Sequence, residues 1–379
     1  MRSVTLAPTI LALVACLSFT QHAQAQEDES CPTCLDVESV VEEFGLREGL
    51  QPVRERPGWH PPKVVVTMFG ERAAHTFRLI MPDAEVIGAN GMEAAAEVVA
   101  DADLYIGRCH PDILANGKKL KWVATPFAGA EDCTALPEFA ERDILLTNMR
   151  GIYGPPIAQH AIALTLALAN KLYVYRDEQA AREWSGFMNP GQRDHTNLGG
   201  ELMLVVGLGG IGTEIARLAN GLGMRVTATR RSRREGPDFV EHVGLSDELH
   251  KLAAEATVVV SALPLTDETR GVFDEAFFNI VPEGALFVNI GRGELVVNDD
   301  LIAALRSGHL GGAALDVTDP EPLPPDHPLW SEPRVILTPH VANSSDMSFR
   351  LLQTIMRENM QRYSRGDKLL NVVDIQRGY

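Results

Sequence analysis

From residue 63 onward, short apolar runs alternate with stretches whose apolar positions recur every three to four residues. The runs 64–69, 84–87, 104–107, 121–125 and 144–148 are too short for helices and rich in aliphatic residues, so they predict buried strands. Helical spacing occupies 72–81 and 92–100 between them. A second series follows, with strands at 203–206, 225–229, 257–261, 285–290, 312–317 and 335–338, and helices at 211–222, 247–254, 274–280 and 299–307. Such alternation predicts parallel sheets covered by helices, here in two doubly wound α/β domains. An apolar helix at 157–172, continued by a second at 173–184, separates the two series. An amphipathic helix at 345–364 is expected to cross back and complete the first domain.

The first 62 residues break this pattern. Met1-Arg2, an apolar run from Val4 to Phe19 and an Ala23-Gln24-Ala25 cleavage signal predict a secretory signal peptide over 1–25 and an exported protein. Leu13-Val14-Ala15-Cys16 also fits a lipoprotein box, which would place a lipid on Cys16 instead. Residues 26–62 are acidic and then Pro-rich, which predicts a linker with one short helix near 37–44. Export permits a disulfide between Cys31 and Cys34. Cys109 and Cys133 lie apart and are read as buried thiols, and no cysteine or histidine spacing suggests a metal.

Within the second series, the segment 203–229 is a strand, a tight turn, a helix and a strand, with Gly207, Gly209 and Gly212 at G-x-G-x-x-G spacing. In that setting the first glycine permits the turn, the second lets a pyrophosphate approach the backbone, and the third lets helix and strand pack closely. Gly207, Gly209, Gly210, Ile211 and Gly212 are therefore the expected phosphate contacts at a helix N-terminus. NAD sites carry an acidic residue at the end of the second strand. Here that end is Arg230-Arg231-Ser232, and no carboxylate lies between Glu214 and Glu235. Cationic donors suit a 2′-phosphate, so NADP is favoured over NAD, the plainer alternative being a solvated basic loop.

Composition adds limits. At 379 residues the chain is long enough for two domains. A formal net charge of −17 argues against nucleic acid or an anionic membrane surface as partner, so an anionic substrate needs a local cationic pocket. After the leader, no segment is long and apolar enough to span a membrane.

In open α/β sheets, ligands lie outside the carboxyl ends of the strands. Reading only those ends in the second series yields Ser261 to Pro264, Gly291-Arg292-Gly293, Asp316 with Glu321 beyond, and Pro339-His340. The residue types suit hydride transfer at an alcohol carbon. A guanidinium holds a carboxylate at two points, an imidazole exchanges the hydroxyl proton, and a carboxylate behind the imidazole fixes its tautomer.

The runs VVGLGGIG (205–212), SALPLTDETRGVFDEAFFNIVPEGALFVNIGRGELV (261–296), AALDVTDPEPLPPDHPLW (313–330) and LTPHVA (337–342) resemble the D-isomer-specific 2-hydroxyacid dehydrogenase family. The likeness extends to 120–133, 148–168 and the final NVVDIQRGY. It implies a Rossmann-type cofactor domain (156–342) inserted in a flavodoxin-like substrate domain (63–155 and 343–379). It also implies catalytic roles for Arg292, Glu321 and His340. Asp316 would meet the nicotinamide amide, Pro264 the adenine side, and Ile290 counts among the cofactor contacts. Backbone amides of Phe127, Ala128 and Gly129 would join Arg292 in holding the substrate carboxylate. Two positions depart from the family's habit: Gln159, distant from the chemistry, and Thr318, which could alter packing beside Glu321 but leaves the catalytic set intact. The implied activity is hydride exchange between NADP(H) and a small 2-keto or D-2-hydroxy acid, by a homodimer. Phosphite oxidation by the same superfamily remains open, whereas formate-type sites carry Gln at the position of Glu321. The rival from another class is a non-catalytic protein that senses a dinucleotide.

Overall fold

Apolar strands that water would not tolerate gather into two sheets in the computed structural model, which describes residues 34–184 and 195–376. The first contains β1 (Val64–Thr67), β2 (Glu85–Gly88), β3 (Leu104–Ile106), β4 (Trp122–Ala124) and β5 (Leu145–Thr147). Their order is β2-β1-β3-β4-β5 with every pair parallel, the flavodoxin-like arrangement. Around them lie α1 (Val37–Glu43), α2 (Gly70–Ile80), α3 (Met92–Val98), α4 (Pro111–Asn116), α5 (Glu131–Thr134) and α6 (Glu138–Glu141).

The second sheet contains β6 (Leu202–Val206), β7 (Arg225–Arg230), β8 (His242–Leu245), β9 (Val258–Ser261), β10 (Leu286–Asn289), β11 (Gly312–Leu315) and β12 (Val335–Leu337). Its order, β12-β11-β10-β9-β6-β7-β8, is again all parallel and reverses between β6 and β9. Both faces are covered, as parallel sheets require. Met203 and Val205 of β6 join one hydrophobic cluster, under α7 (Gly154–Ala169) and α9 (Gly210–Gly221), whereas Leu204 and Val206 join another. That other cluster is built on the edge-to-face rings of Phe273, Phe277, Phe278 and Phe287. α8 (Leu172–Ala181), α10 (Leu249–Ala253), α11 (Glu275–Ile280) and α12 (Asn298–Ser307) complete this part. α13 (Asp346–Arg365) then packs on α1 and α2, and its Tyr363 ring stacks on Trp122 of β4 at 4.9 Å between centroids.

Three sequence expectations need correction. The second sheet has seven strands and not six, because the edge strand β8 is only four residues long and includes a glycine. The stretch read as a linker, 26–62, is packed from α1 onward. Val40, Leu46 and Val53 enter the core, the amides of Gly49 and Val53 donate to the carbonyls of Leu369 and Asp367, and Trp59 Nε1 donates to Tyr363 O. Cys109 and Cys133 form a disulfide, with Cα atoms 5.1 Å apart. They meet because β3 and β4 are neighbours, which brings the segments beyond their carboxyl ends together. Cys34 is also disulfide-bonded, while Cys31 and residues 1–25, where a signal peptide is expected, lie outside the described residues. The apolar stretch 157–184 breaks at Lys171, whose φ of 51° ends α7 and starts α8. Among the described residues no helix is long and apolar enough to cross a membrane.

Candidate active site

The order of the second sheet reverses beside β6, and the glycine turn leaves the end of that strand. Gly207 sits at φ 101°, and a Cβ on Gly212 would collide with the Gly207 carbonyl, so strand and helix meet closer than any other residue permits. Gly209 and Gly210 face open space, with nothing within 4 Å of an added Cβ, at the first turn of the 12-residue α9. Such an open helix N-terminus suits a pyrophosphate. Ile211 lies in that first turn, half-buried.

At the end of β7, the Arg230 guanidinium is already engaged. Its Nε donates to Leu208 O at 2.8 Å and its Nη1 to Glu235 O at 2.9 Å. Arg230 therefore braces the loop beside the glycine turn, while Arg231, Ser232, Arg233 and Arg234 are all exposed. Pro264 follows β9, its carbonyl taking the Thr269 hydroxyl, and Ile290 follows β10, 7 % exposed.

The three expected catalytic residues extend from adjacent strands at the same carboxyl edge. Arg292 lies three residues beyond β10, Glu321 in the loop between β11 and β12, and His340 three residues beyond β12. A Cβ on Gly293 would strike the Thr318 carbonyl and the Asp319 amide nitrogen, so the turn after Arg292 presses directly on the loop that carries Glu321. His340 Nδ1 and Glu321 Oε1 are 2.7 Å apart, and both side chains remain open to solvent at 46 % and 43 % exposure. Engaging Nδ1 leaves Nε2 as the ring nitrogen for exchange with a ligand.

Asp316 organises this corner. It is buried, and its carboxylate accepts the Thr338 hydroxyl at 2.6 Å and the amides of Val341 and Ala342, both at 3.0 Å. His160 Nε2 lies 3.4 Å away and 3.0 Å from Thr338 Oγ1. Burial alone would raise the Asp316 carboxyl, but the bonds from His160, Thr338 and the two amides outweigh it and hold it below its ordinary value. The His340 amide donates to Asp316 O at 2.8 Å. Asp316 is thus the clamp on the turn that presents His340, a role the sequence reading did not assign.

Opposite, the first domain contributes the loop after β4. The Phe127 carbonyl takes the Met149 amide and the Ala128 carbonyl takes Asn148 Nδ2. Among the described residues, no protein acceptor takes the amides of Phe127, Ala128 or Gly129. The Arg108 guanidinium lies over the Phe127 ring, 5.5 Å from its centroid. The sequence reading passed over Glu131, which reaches across to Arg292: Nη2 is 3.3 and 3.4 Å from the two carboxylate oxygens, and Nη1 bonds Gly291 O.

A sheet edge with an open helix N-terminus at a glycine turn, a cationic fork and an acid-backed imidazole marks one class of protein, the α/β oxidoreductases that work on a dinucleotide. Comparison with known proteins narrows the class. Residues 162–342 match the family model for the D-isomer specific 2-hydroxyacid dehydrogenase, NAD binding domain. A glyoxylate reductase of Korarchaeum cryptofilum is 33% identical over 266 residues, covering 69% of this chain and 79% of that one. The crystal structure of a D-isomer specific 2-hydroxyacid dehydrogenase family protein from Aeromonas salmonicida is 32% identical with a TM-score of 0.71, covering 83% of this chain and 99% of that one. An NADPH-dependent glyoxylate/hydroxypyruvate reductase from Sinorhizobium meliloti, solved with NADP and sulfate, is 26% identical with a TM-score of 0.69, covering 84% and 100%. The chain belongs to the D-isomer-specific 2-hydroxyacid dehydrogenases, NAD(P)-dependent oxidoreductases that act on CH–OH donors.

Proposed function

We propose that the protein reduces a small 2-keto acid to the D-2-hydroxy acid, or catalyses the reverse, with NADP(H) preferred over NAD(H). The observation that carries this reading is the 2.7 Å contact of His340 with Glu321 at the sheet edge that also carries Arg292. With its pyrophosphate at the glycine turn, a bound dinucleotide would supply or accept the hydride through its nicotinamide. The remaining work belongs to this chain. Arg292 and the amides of Phe127, Ala128 and Gly129 hold the substrate carboxylate, which orients the keto carbon. Glu321 keeps the proton on Nδ1 of His340, so that protonated Nε2 gives its proton to the carbonyl oxygen as the carbon is reduced, and takes it back in the reverse direction. Closure of the two domains excludes water from this exchange.

Preference for NADP(H) is supported by the exposed Arg231 and Ser232, by the lack of a carboxylate between Glu214 and Glu235, and by the NADPH dependence of the Sinorhizobium relative. Export is supported by the apolar leader and by the Cys109–Cys133 disulfide, which an oxidising compartment sustains. Reading the N-terminus of the secreted protein by mass spectrometry tests it, and an intact Met1 would rule it out. Dimerisation is supported by α8, which buries none of its residues within one chain. Light scattering at micromolar concentration tests that, and a monomeric mass would contradict it.

Initial rates with glyoxylate, hydroxypyruvate and longer 2-keto acids test the activity. NADPH should exceed NADH in kcat/KM by about tenfold or more, the scale of one lost charge-assisted contact. Arg292→Ala should lose measurable turnover, and near-normal rates in that variant would refute its role.

A further inference from the structure

Arg292 already has a carboxylate partner in its own chain. Glu131, 161 positions away in sequence and on the opposite domain, places both carboxylate oxygens on Arg292 Nη2. We propose that Glu131 is an internal carboxylate that competes with the substrate for Arg292, so that an incoming acid binds by displacing it. This rests on the reading of Arg292 as the holder of the substrate carboxylate.

The contact has the form of a replaceable one. At 3.3 and 3.4 Å both bonds are long for a charged pair, they use one nitrogen instead of two, and the side chains are 33 % and 36 % exposed. A ligand carboxylate that engages the guanidinium at two points and also takes the amides of the 127–129 loop has the better geometry. Room for Glu131 is built in: a Cβ on Gly129 would collide with both Arg292 Nη2 and Glu131 Oε2. Its neighbour Asp132 has a cation of its own, Arg108, whose Nε lies 3.0 Å away. Two positions further on, the Cys109–Cys133 disulfide ties α5 to the segment after β3. The backbone at Glu131 is therefore fastened, and the carboxylate yields by turning its side chain instead of moving the loop.

The test compares the full chain with Glu131→Gln and Glu131→Ala at low ionic strength, where charge pairs are least screened. In the NADPH-saturated protein, KM for glyoxylate should fall about two- to fivefold while kcat holds, and the Kd of oxamate by calorimetry should fall by the same factor, the range of a partly exposed ion pair. A damaged cleft cannot produce that result, since damage raises KM and lowers kcat. An unchanged or raised KM and Kd, with wild-type turnover intact, would show that Glu131 leaves Arg292 available or orients it, and would overturn the competition. If the wild type turns over no 2-keto acid but the variants bind oxamate more tightly, the catalytic reading falls and the competition stands. If oxamate binds neither protein, both fall.

Discussion

His340 presents its imidazole from a backbone conformation that side chains rarely adopt, φ 54°. A residue held there costs on the order of 1–3 kcal/mol, which neighbouring structure must supply. Asp316 supplies it through the bonds that draw Thr338, Val341 and Ala342 around its carboxylate. Asp316→Asn keeps the shape but turns an NH2 group toward one of those donors. Unfolding by denaturant should show a loss of about 1–3 kcal/mol, and the Glu321–His340 geometry should loosen with it. Because the folded Asp316 carboxyl lies below its ordinary value of 3.8, its stabilising contribution is complete at neutral pH and is lost as pH falls through the folded value, below about pH 4. The wild type should therefore lose stability there with a steeper slope than Asp316→Asn, and parallel slopes would remove Asp316 from that role. Arg292 and His340 were singled out because they lie just past strand ends, which periodicity locates, whereas Glu321, in the loop beyond β11, was singled out chiefly by the family resemblance. Glu131 was not, since a carboxylate opening a four-residue helix carries no spacing signal and its partner belongs to another domain.

At the scale of elements, strand and helix positions were legible wherever burial on both faces produced long apolar runs, as in β6, where all five residues are buried. β8 escaped notice because two of its four residues are His242 and Gly244. The segment before β1 was misread for a different reason. Val40, Leu46 and Val53 are buried one at a time against α13 and its flanks, so no period marks them. The disulfide is the other element that sequence concealed, because pairing depends on β3 and β4 being neighbours and not on the distance between cysteines. With a sequence separation of 24 between its cysteines, the bridge should contribute about 3 kcal/mol by restricting the unfolded chain. Thermal and denaturant melts of a Cys109→Ser, Cys133→Ser double variant should show a loss of that order. An unchanged midpoint would mean that the bridge is absent from the folded protein in solution.

For the whole molecule, the candidate site is divided between the two sheets' domains, which meet at the Glu131–Arg292 contact. The second domain holds the His340–Glu321 pair, the Arg292 guanidinium and the glycine turn, and the first holds the amides of 127–129 and the carboxylate of Glu131 beside Arg292. On the proposed reading both domains are needed to bind and reduce a keto acid, so their relative placement is what a direct test must examine. A crystal structure of the protein with NADPH and oxamate tests it most directly. The inhibitor carboxylate should lie on Arg292 and the amides of residues 127–129, its carbonyl oxygen within hydrogen-bond distance of His340 Nε2 and its carbonyl carbon against the nicotinamide. An oxamate bound elsewhere, or held by Arg292 with His340 Nε2 turned away from its carbonyl, would contradict it.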